Sequence, residues 1–193
     1  MKSRFYYSII ILLLINNILI AGQGSAGAKF LQINTTTRGA ANAGTMVARP
    51  GLIDALSYNP ATTATLSGSN FVIHHSNYFV GMSFDYMSFT YNIPSFGTVS
   101  MGLLGLLSGD IEETTELQPL GTGRTFTAND FAGFVSFARS MTDKFSGGGT
   151  IKYVIQNIDK LTASGIAFDM GAIYKVGLFY DMTIGFSIKN YPK

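Results

Sequence analysis

Apolar and polar positions alternate along much of this chain with a period of two, in segments of about ten residues set apart by turn chemistry, the signature of strands that show different surroundings to their two faces. In Leu178 to Lys189 one face carries Leu178, Tyr180, Met182, Ile184, Phe186 and Ile188, and the other Phe179, Asp181, Thr183, Gly185, Ser187 and Lys189. In Ser164 to Lys175, Ile166, Phe168, Met170, Ala172 and Tyr174 oppose Gly165, Ala167, Asp169, Gly171 and Lys175. In Phe145 to Gln156, Ile151, Tyr153 and Ile155 oppose Thr150, Lys152 and Gln156. A fourth segment, Phe131 to Phe137, is less regular because Phe134 falls among small inward residues. Phe71 to His75, Met82 to Ile93 and Thr98 to Leu107 complete a prediction of about seven strands, each of the length a tilted strand needs to cross a bilayer.

The chain before Gly68 has another texture. From Lys29 to Leu66 alternation is scarce, and Gly39, Gly44, Pro50 and Gly51 cut the segment into short pieces, as in a plug or hatch. Within it, "LSYNPATTATLSG" carries a helix-start signal: Asn59 has the chemistry of an N-cap and Pro60 that of a first helical position. Ala61 to Leu66 is too short and too rich in Thr to be helical unaided, so it must rest on something larger.

Connection lengths give the strands a direction. If the first strand leads away from the hatch, the connections on one side fall near Ser76 to Val80, Gly109 to Gly123 and Asn157 to Ala163, and those on the other at "IPSFG", "MTDK" and "KVG". The longest connection, "GDIEETTELQPLGTG", then lies opposite the short turns, as in outer-membrane barrels with short periplasmic turns and long external loops.

Composition sharpens the picture. The 193 residues are 47% hydrophobic and only 12% charged, a poor supply for a water-facing surface, yet the apolar residues are interleaved with polar ones rather than gathered into helical spans. The 22 Gly, 15 Phe and 10 Tyr suit a membrane barrel, whereas the absence of Trp does not. A net charge of +2 with scattered Lys and Arg argues against a nucleic-acid partner. The lack of Cys excludes disulfides, thiolate metal sites, a cysteine nucleophile and a lipoprotein anchor. Lys2 and Arg4, the apolar run Phe5 to Ile20 and the small residues "AGQGSAGA" have the three-part form of a cleaved secretory signal, residues 1–28. A permanent anchor is the competing reading, against which stand the run's shortness and Asn16 and Asn17. The domain plan is thus a signal over 1–28, a hatch over 29–68 and strands over 69–193.

Candidate chemistry is sparse. His74 and His75, adjacent on a strand, point to opposite faces and cannot share one ion. "GTGRT" lacks the Lys-Ser/Thr and helix of a phosphate cradle, and Gly147 to Gly149 suit a strand bend. Lys152, Asp169, Lys175, Asp181 and Lys189 fall on the inward faces, where mutual pairing or water would satisfy them in a polar lumen. Glu112, Glu113 and Glu116 belong to the longest loop, a solvated surface or a partner surface. No set of nucleophile, base and orienting group stands out, so neither catalytic residues, a cofactor nor a metal is expected.

"GAKFLQINTTTRGAANAG", Gly27 to Gly44, followed by "DALSYNPA", Asp54 to Ala61, resembles the opening of the PorV/PorQ family, relatives of FadL-type fatty-acid transporters. "GGGTIKYVIQNI", "GIAFDMGAIYKV" and "IGFSIKN" resemble that family's later strands, so the likeness covers nearly the whole chain after the signal. Thr62 and Thr63 depart from the usual Asn-Pro-Ala-Gly continuation, and "ARPG" from the usual pattern before it. The resemblance implies an all-β, antiparallel transmembrane outer-membrane β-barrel of about fourteen strands, of which the seven here are half, with a small N-terminal plug. It implies that Asp54, Asn59, Pro60 and Ala61 form the hatch motif. It also implies an outer-membrane location in contact with lipid, and type IX secretion, with exported cargo proteins and secretion machinery as partners. The alternative is FadL-like passage of fatty acids or another hydrophobic ligand. An odd count of seven strands does not close a single-chain barrel, so the chain is expected to be the front part of a longer one or to pair between subunits.

Overall fold

The computed structural model describes residues 27–177 and 182–192. The segment 1–28, expected as a signal, therefore lies outside the described residues except for Gly27 and Ala28, as do Asp181 and the Leu178 and Tyr180 expected to face outward. The fold is all-β: β1 Ser69–Asn77, β2 Ser83–Ile93, β3 Gly97–Leu107, β4 Ile111–Glu112, β5 Thr125–Phe126, β6 Ala128–Ser140, β7 Phe145–Ile158, β8 Leu161–Lys175 and β9 Thr183–Pro192. Seven of these form one antiparallel sheet in the order β1-β2-β3-β6-β7-β8-β9, each long strand beside the next in sequence. β4 and β5 pair only with each other and form the stem of a hairpin on the long loop. The sheet is open, since β1 and β9 do not pair among the described residues.

Register turns the period of two into two faces. One row runs Tyr86, Leu104, Ala132, Val154, all buried; another runs Met87, Leu103, Gly133, Tyr153 on the opposite face. A band of exposed Phe, Tyr, Ile, Leu, Val and Met covers that outward face from Phe71 on β1 to Phe186 on β9, the latter 63% exposed. The inward face is lined by small and hydroxyl residues, including Thr98, Ser100, Ser136 and Thr150, and by the core cluster of Phe84, Tyr86, Leu104 and Phe134. Phe134, the irregular residue of its segment, faces inward because Gly102 stands directly opposite and leaves room for its ring. The ring stacks on Tyr86, with centroids 6.1 Å apart.

The segment expected as a hatch, 29–68, precedes β1 and packs against the inward face of the sheet. It is built of short turns: Lys29–Gln32, the five-residue helix Thr37–Ala41, Ile53–Ala55 and Pro60–Thr65. The last of these packs against β6, β7 and β8, so the object that supports it is the sheet itself.

One expected loop is absent. Asn157 to Ala163 is not a long connection, because β7 continues to Ile158, β8 starts at Leu161 and only Asp159 and Lys160 turn between them. Asp159 takes the left-handed backbone region (φ 53°), which Asp adopts more readily than most residues, and Thr162 Oγ1 donates to Asn157 Oδ1 at 2.8 Å across the last rung but one. The long loop leans on this turn: Arg124 donates from Nη1 to Glu113 Oε1 (3.1 Å) and from Nη2 to Asp159 Oδ1.

The hydrogen bond from Arg124 holds the exposed Asp159 carboxyl below its ordinary pKa, and the carboxylate in turn raises that of the guanidinium. Because the folded value is the depressed one, the clasp is complete above the unfolded carboxylate's pKa and is lost as pH falls through the folded value. In carbon-13 carboxyl NMR, Asp159 is expected to titrate below the ordinary aspartate value of about 3.9, and Arg124→Gln to return it there. An ordinary titration in the unaltered chain would show that the clasp does not form.

Candidate functional site

The seat of the hatch on the sheet gathers most of the polar residues singled out in the sequence. Local signals set it up: Thr36 Oγ1 accepts from Gly39 N (3.0 Å) at the start of the Thr37–Ala41 helix, and Asn59 Oδ1 accepts from Ala61 N (3.0 Å) at the start of Pro60–Thr65. Pro60 follows the cap where its missing N–H costs nothing, and Asn59, Pro60 and Ala61 are all buried.

Asn59 also fastens the hatch. Its Nδ2 donates to Val47 O in the hatch (2.8 Å), Ala172 O on β8 (3.2 Å) and Phe186 O on β9 (3.3 Å), so one fully buried amide ties three backbone segments. Such close approach requires glycine beneath it. A Cβ on Gly171 would collide with the Asn59 amide, and one on Gly148 would lie 2.9 Å from Ala61 N. Ser187 Oγ donates to Tyr58 O at 2.8 Å, adding a second tie to β9. Burial raises the pKa of the Tyr58 phenol, and its hydroxyl donates to Asn34 Oδ1 at 3.1 Å.

Asp54 works at the other end of the hatch. It accepts from His74 Nε2 on β1 at 3.0 Å and pairs with Arg38 Nε at 3.3 Å. His74 is therefore a strand-to-hatch latch. Alternation in the sequence assigns His74 only to a strand face, because its partner lies on a segment with no periodicity.

Below the hatch is a buried ion pair. Lys152 Nζ stands 2.7 Å from Asp169 Oδ2, with side chains 6% and 2% exposed. Asn190 completes it, accepting from Lys152 Nζ and donating its own backbone N–H to Asp169 Oδ1, both at 2.8 Å. A bulge makes this possible: Phe168 pairs with Tyr191 and Met170 with Ile188, so Lys189 and Asn190 together oppose Asp169, and Asn190 takes a left-handed backbone (φ 55°). Lys189 Nζ lies 5.2 Å from the centroid of the Tyr58 ring, within cation–π range. Lys175 shares the inward parity but stands exposed at the end of β8, apart from the group, and Asp181 lies outside the described residues. Asn190 was not singled out in the sequence, since its role depends on a bulge that alternation alone does not signal.

Towards β2 and β3 the seat is different. Tyr86 Oη, Ser88 Oγ, Thr90 Oγ1 and Ser100 Oγ are buried there without a hydrogen-bond partner among the described residues. A separate cavity of about 220 Å3 opens between Ala28 and Leu31 of the hatch and Val154, Ile166 and Ala167 of the sheet, with Gln156 and Asn190 at its polar edge. Among the described residues no three His, Asp or Glu side chains converge as metal ligands would. No protein-family model matches the chain, and no curated protein matches it.

Asn59→Ala is expected to cost about 2–4 kcal/mol, through loss of the cap and of the buried amide's bonds, and to expose residues 45–66 to limited proteolysis; unchanged cleavage would refute its fastening role. Lys152→Met, which strands a buried carboxylate, is expected to cost about 3–5 kcal/mol in urea unfolding, and adding Asp169→Leu to recover most of that. Equal losses in the single and double variants would show that the pair is not coupled.

Proposed function

We propose that this chain is part of an outer-membrane β-barrel with a plug, exported by a cleaved signal and related to the PorV/PorQ group. Its role in this reading is type IX secretion, binding or carrying exported cargo proteins. The observation that carries the membrane part is the outward band of exposed apolar side chains across all seven strands, on a sheet whose inward face holds the buried core and the hydroxyl and charged residues beneath the hatch. In water such a band exceeds what soluble proteins expose, whereas in lipid it is the required outer surface. In lipid the free edges of β1 and β9 need further strands, because unpaired backbone groups cost several kcal/mol each there. The secretion role draws its support from the sequence resemblance, and the hairpin on the long loop, with Glu113 and Glu116 and the exposed Leu117 and Leu120, is a surface suited to a protein partner.

A second reading, passage of a hydrophobic solute, is favoured by the cavity between Ala28, Leu31 and β7–β8. The discriminating experiment is mass spectrometry of what co-purifies with the tagged, full-length protein extracted gently from outer membranes. Secreted proteins sharing a C-terminal domain, or a large translocon barrel, are expected. Bound fatty acid or lipid without protein partners would overturn secretion in favour of transport.

Ile184→Arg, on the outward face, is expected to cost about 2–4 kcal/mol and to impair membrane assembly, and Thr183→Arg, on the inward face, to leave membrane extraction unchanged. Equal assembly of the Ile184→Arg variant, read by resistance to carbonate extraction, would rule out lipid at that face.

A further inference from the structure

The outward band is interrupted near the long-loop end by a charged pair. His75 on β1 and Asp85 on β2 are direct cross-strand partners, with Nδ1 and Oδ1 2.6 Å apart, and their side chains remain 59% and 46% exposed. Ser83 Oγ adds only a long contact to the second carboxylate oxygen, at 3.5 Å. Charges on a lipid-facing surface are tolerated near the bilayer interface and become costly towards its middle, and Asp85 is the third residue of β2 from that end. The pair thus offers a carboxylate and, when His75 is protonated, a cation at the depth where lipid heads lie.

A trough begins beside it. Gly105 stands opposite Asp85, and Gly133 opposite Leu103 in the next row towards mid-strand, so no side chain rises from either position. Met87, Leu103, Leu107, Phe131 and Tyr153 wall the space, which measures about 540 Å3 and reaches Asp85 at its upper end. The Phe131 ring leans over Gly105 and Leu103 over Gly133, which makes the floor continuous and apolar.

We propose that the trough and the pair together bind one membrane phospholipid whose head carries a primary ammonium and a phosphate. An acyl chain lies along the apolar floor that Phe131 and Leu103 form over the two glycines, the ammonium donates to the Asp85 carboxylate, and the protonated His75, its Nδ1 bonded to Asp85, donates from Nε2 to the phosphate. Charge complementarity selects this occupant: adjacent positive and negative groups match a zwitterion, and a hydrogen-bonding ammonium suits a carboxylate better than a quaternary one does. The proposal rests on the reading that the outward face meets lipid.

The test incorporates the full-length protein into vesicles of equal parts phosphatidylethanolamine and phosphatidylglycerol, checks incorporation by flotation, and identifies retained lipid by native mass spectrometry. Phosphatidylethanolamine is expected to be enriched about tenfold, and Asp85→Asn to bring the two within about twofold of each other. Phosphatidylcholine in its place should show no enrichment. Gly133→Leu, which fills the trough, should lower retention of both lipids while the protein still floats. Flotation without lipid preference, an unchanged preference in Asp85→Asn, or a dimer that Gly133→Leu separates would each overturn the lipid site while leaving the membrane reading intact. Failure of the unaltered protein to float would overturn both.

Discussion

The arrangement depends on how closely the backbone of the hatch approaches the backbone of the sheet. At Gly148 and Gly171 the strands present no side chain, so Asn59, Pro60 and Ala61 sit directly on them, and the Asn59 amide reaches carbonyls that side chains would otherwise screen. A third strand glycine, Gly185, lies against Val47 in the same way. This contact fixes where the hatch rests, and with it which polar groups of the sheet are covered. The burial of Lys152 and Asp169 follows from that placement, because Leu31, Thr35, Leu56 and Ser57 of the hatch close over them.

Covering the sheet creates a problem of charge, and the bulge at Asn190 answers it. A carboxylate and an ammonium removed from water need more than each other, since their mutual attraction does not by itself offset desolvation. The extra residue in β9 supplies a backbone N–H to one partner and an amide oxygen to the other. The two faces of the sheet thereby obey opposite rules: inward charge is matched group by group on β7 to β9, while outward apolarity is left bare across the whole width of the strands.

Much of this was legible in the chain. The assignment of Ile151, Tyr153, Ile166, Met170, Ile184 and Phe186 to one face and of Thr150, Lys152 and Asp169 to the other follows from a period of two, which register cannot alter without exposing the wrong set. The cap at Asn59 and Pro60 was equally visible, because capping is a local interaction. What could not be read was long-range pairing. That His74 would meet Asp54, that Lys152 would meet Asp169 while Lys175 stayed apart, and that Asn190 would occupy a bulge all depend on how distant segments align. Phe134 looked misplaced for the same reason, since its room is provided by Gly102 on another strand. The connection at Asp159 and Lys160 is shorter than the sequence implies because Asn157 and Ala163, poor strand formers, are held in the ladder by their partners Thr162 and Gln156.

The four unpartnered hydroxyls of Tyr86, Ser88, Thr90 and Ser100 give the hatch a mechanical asymmetry. Its hydrogen bonds to the sheet beneath Asn59 and Tyr58 are concentrated on β8 and β9, whereas over β2 and β3 buried polar atoms go unmatched and would gain by meeting water. Once the Asp54–His74 latch on β1 is released, a load applied from the β2–β3 side therefore peels the hatch, wetting one row after another. The same load applied along β8 and β9 must shear the Asn59 contacts together, so resistance to displacement depends on the direction of pull.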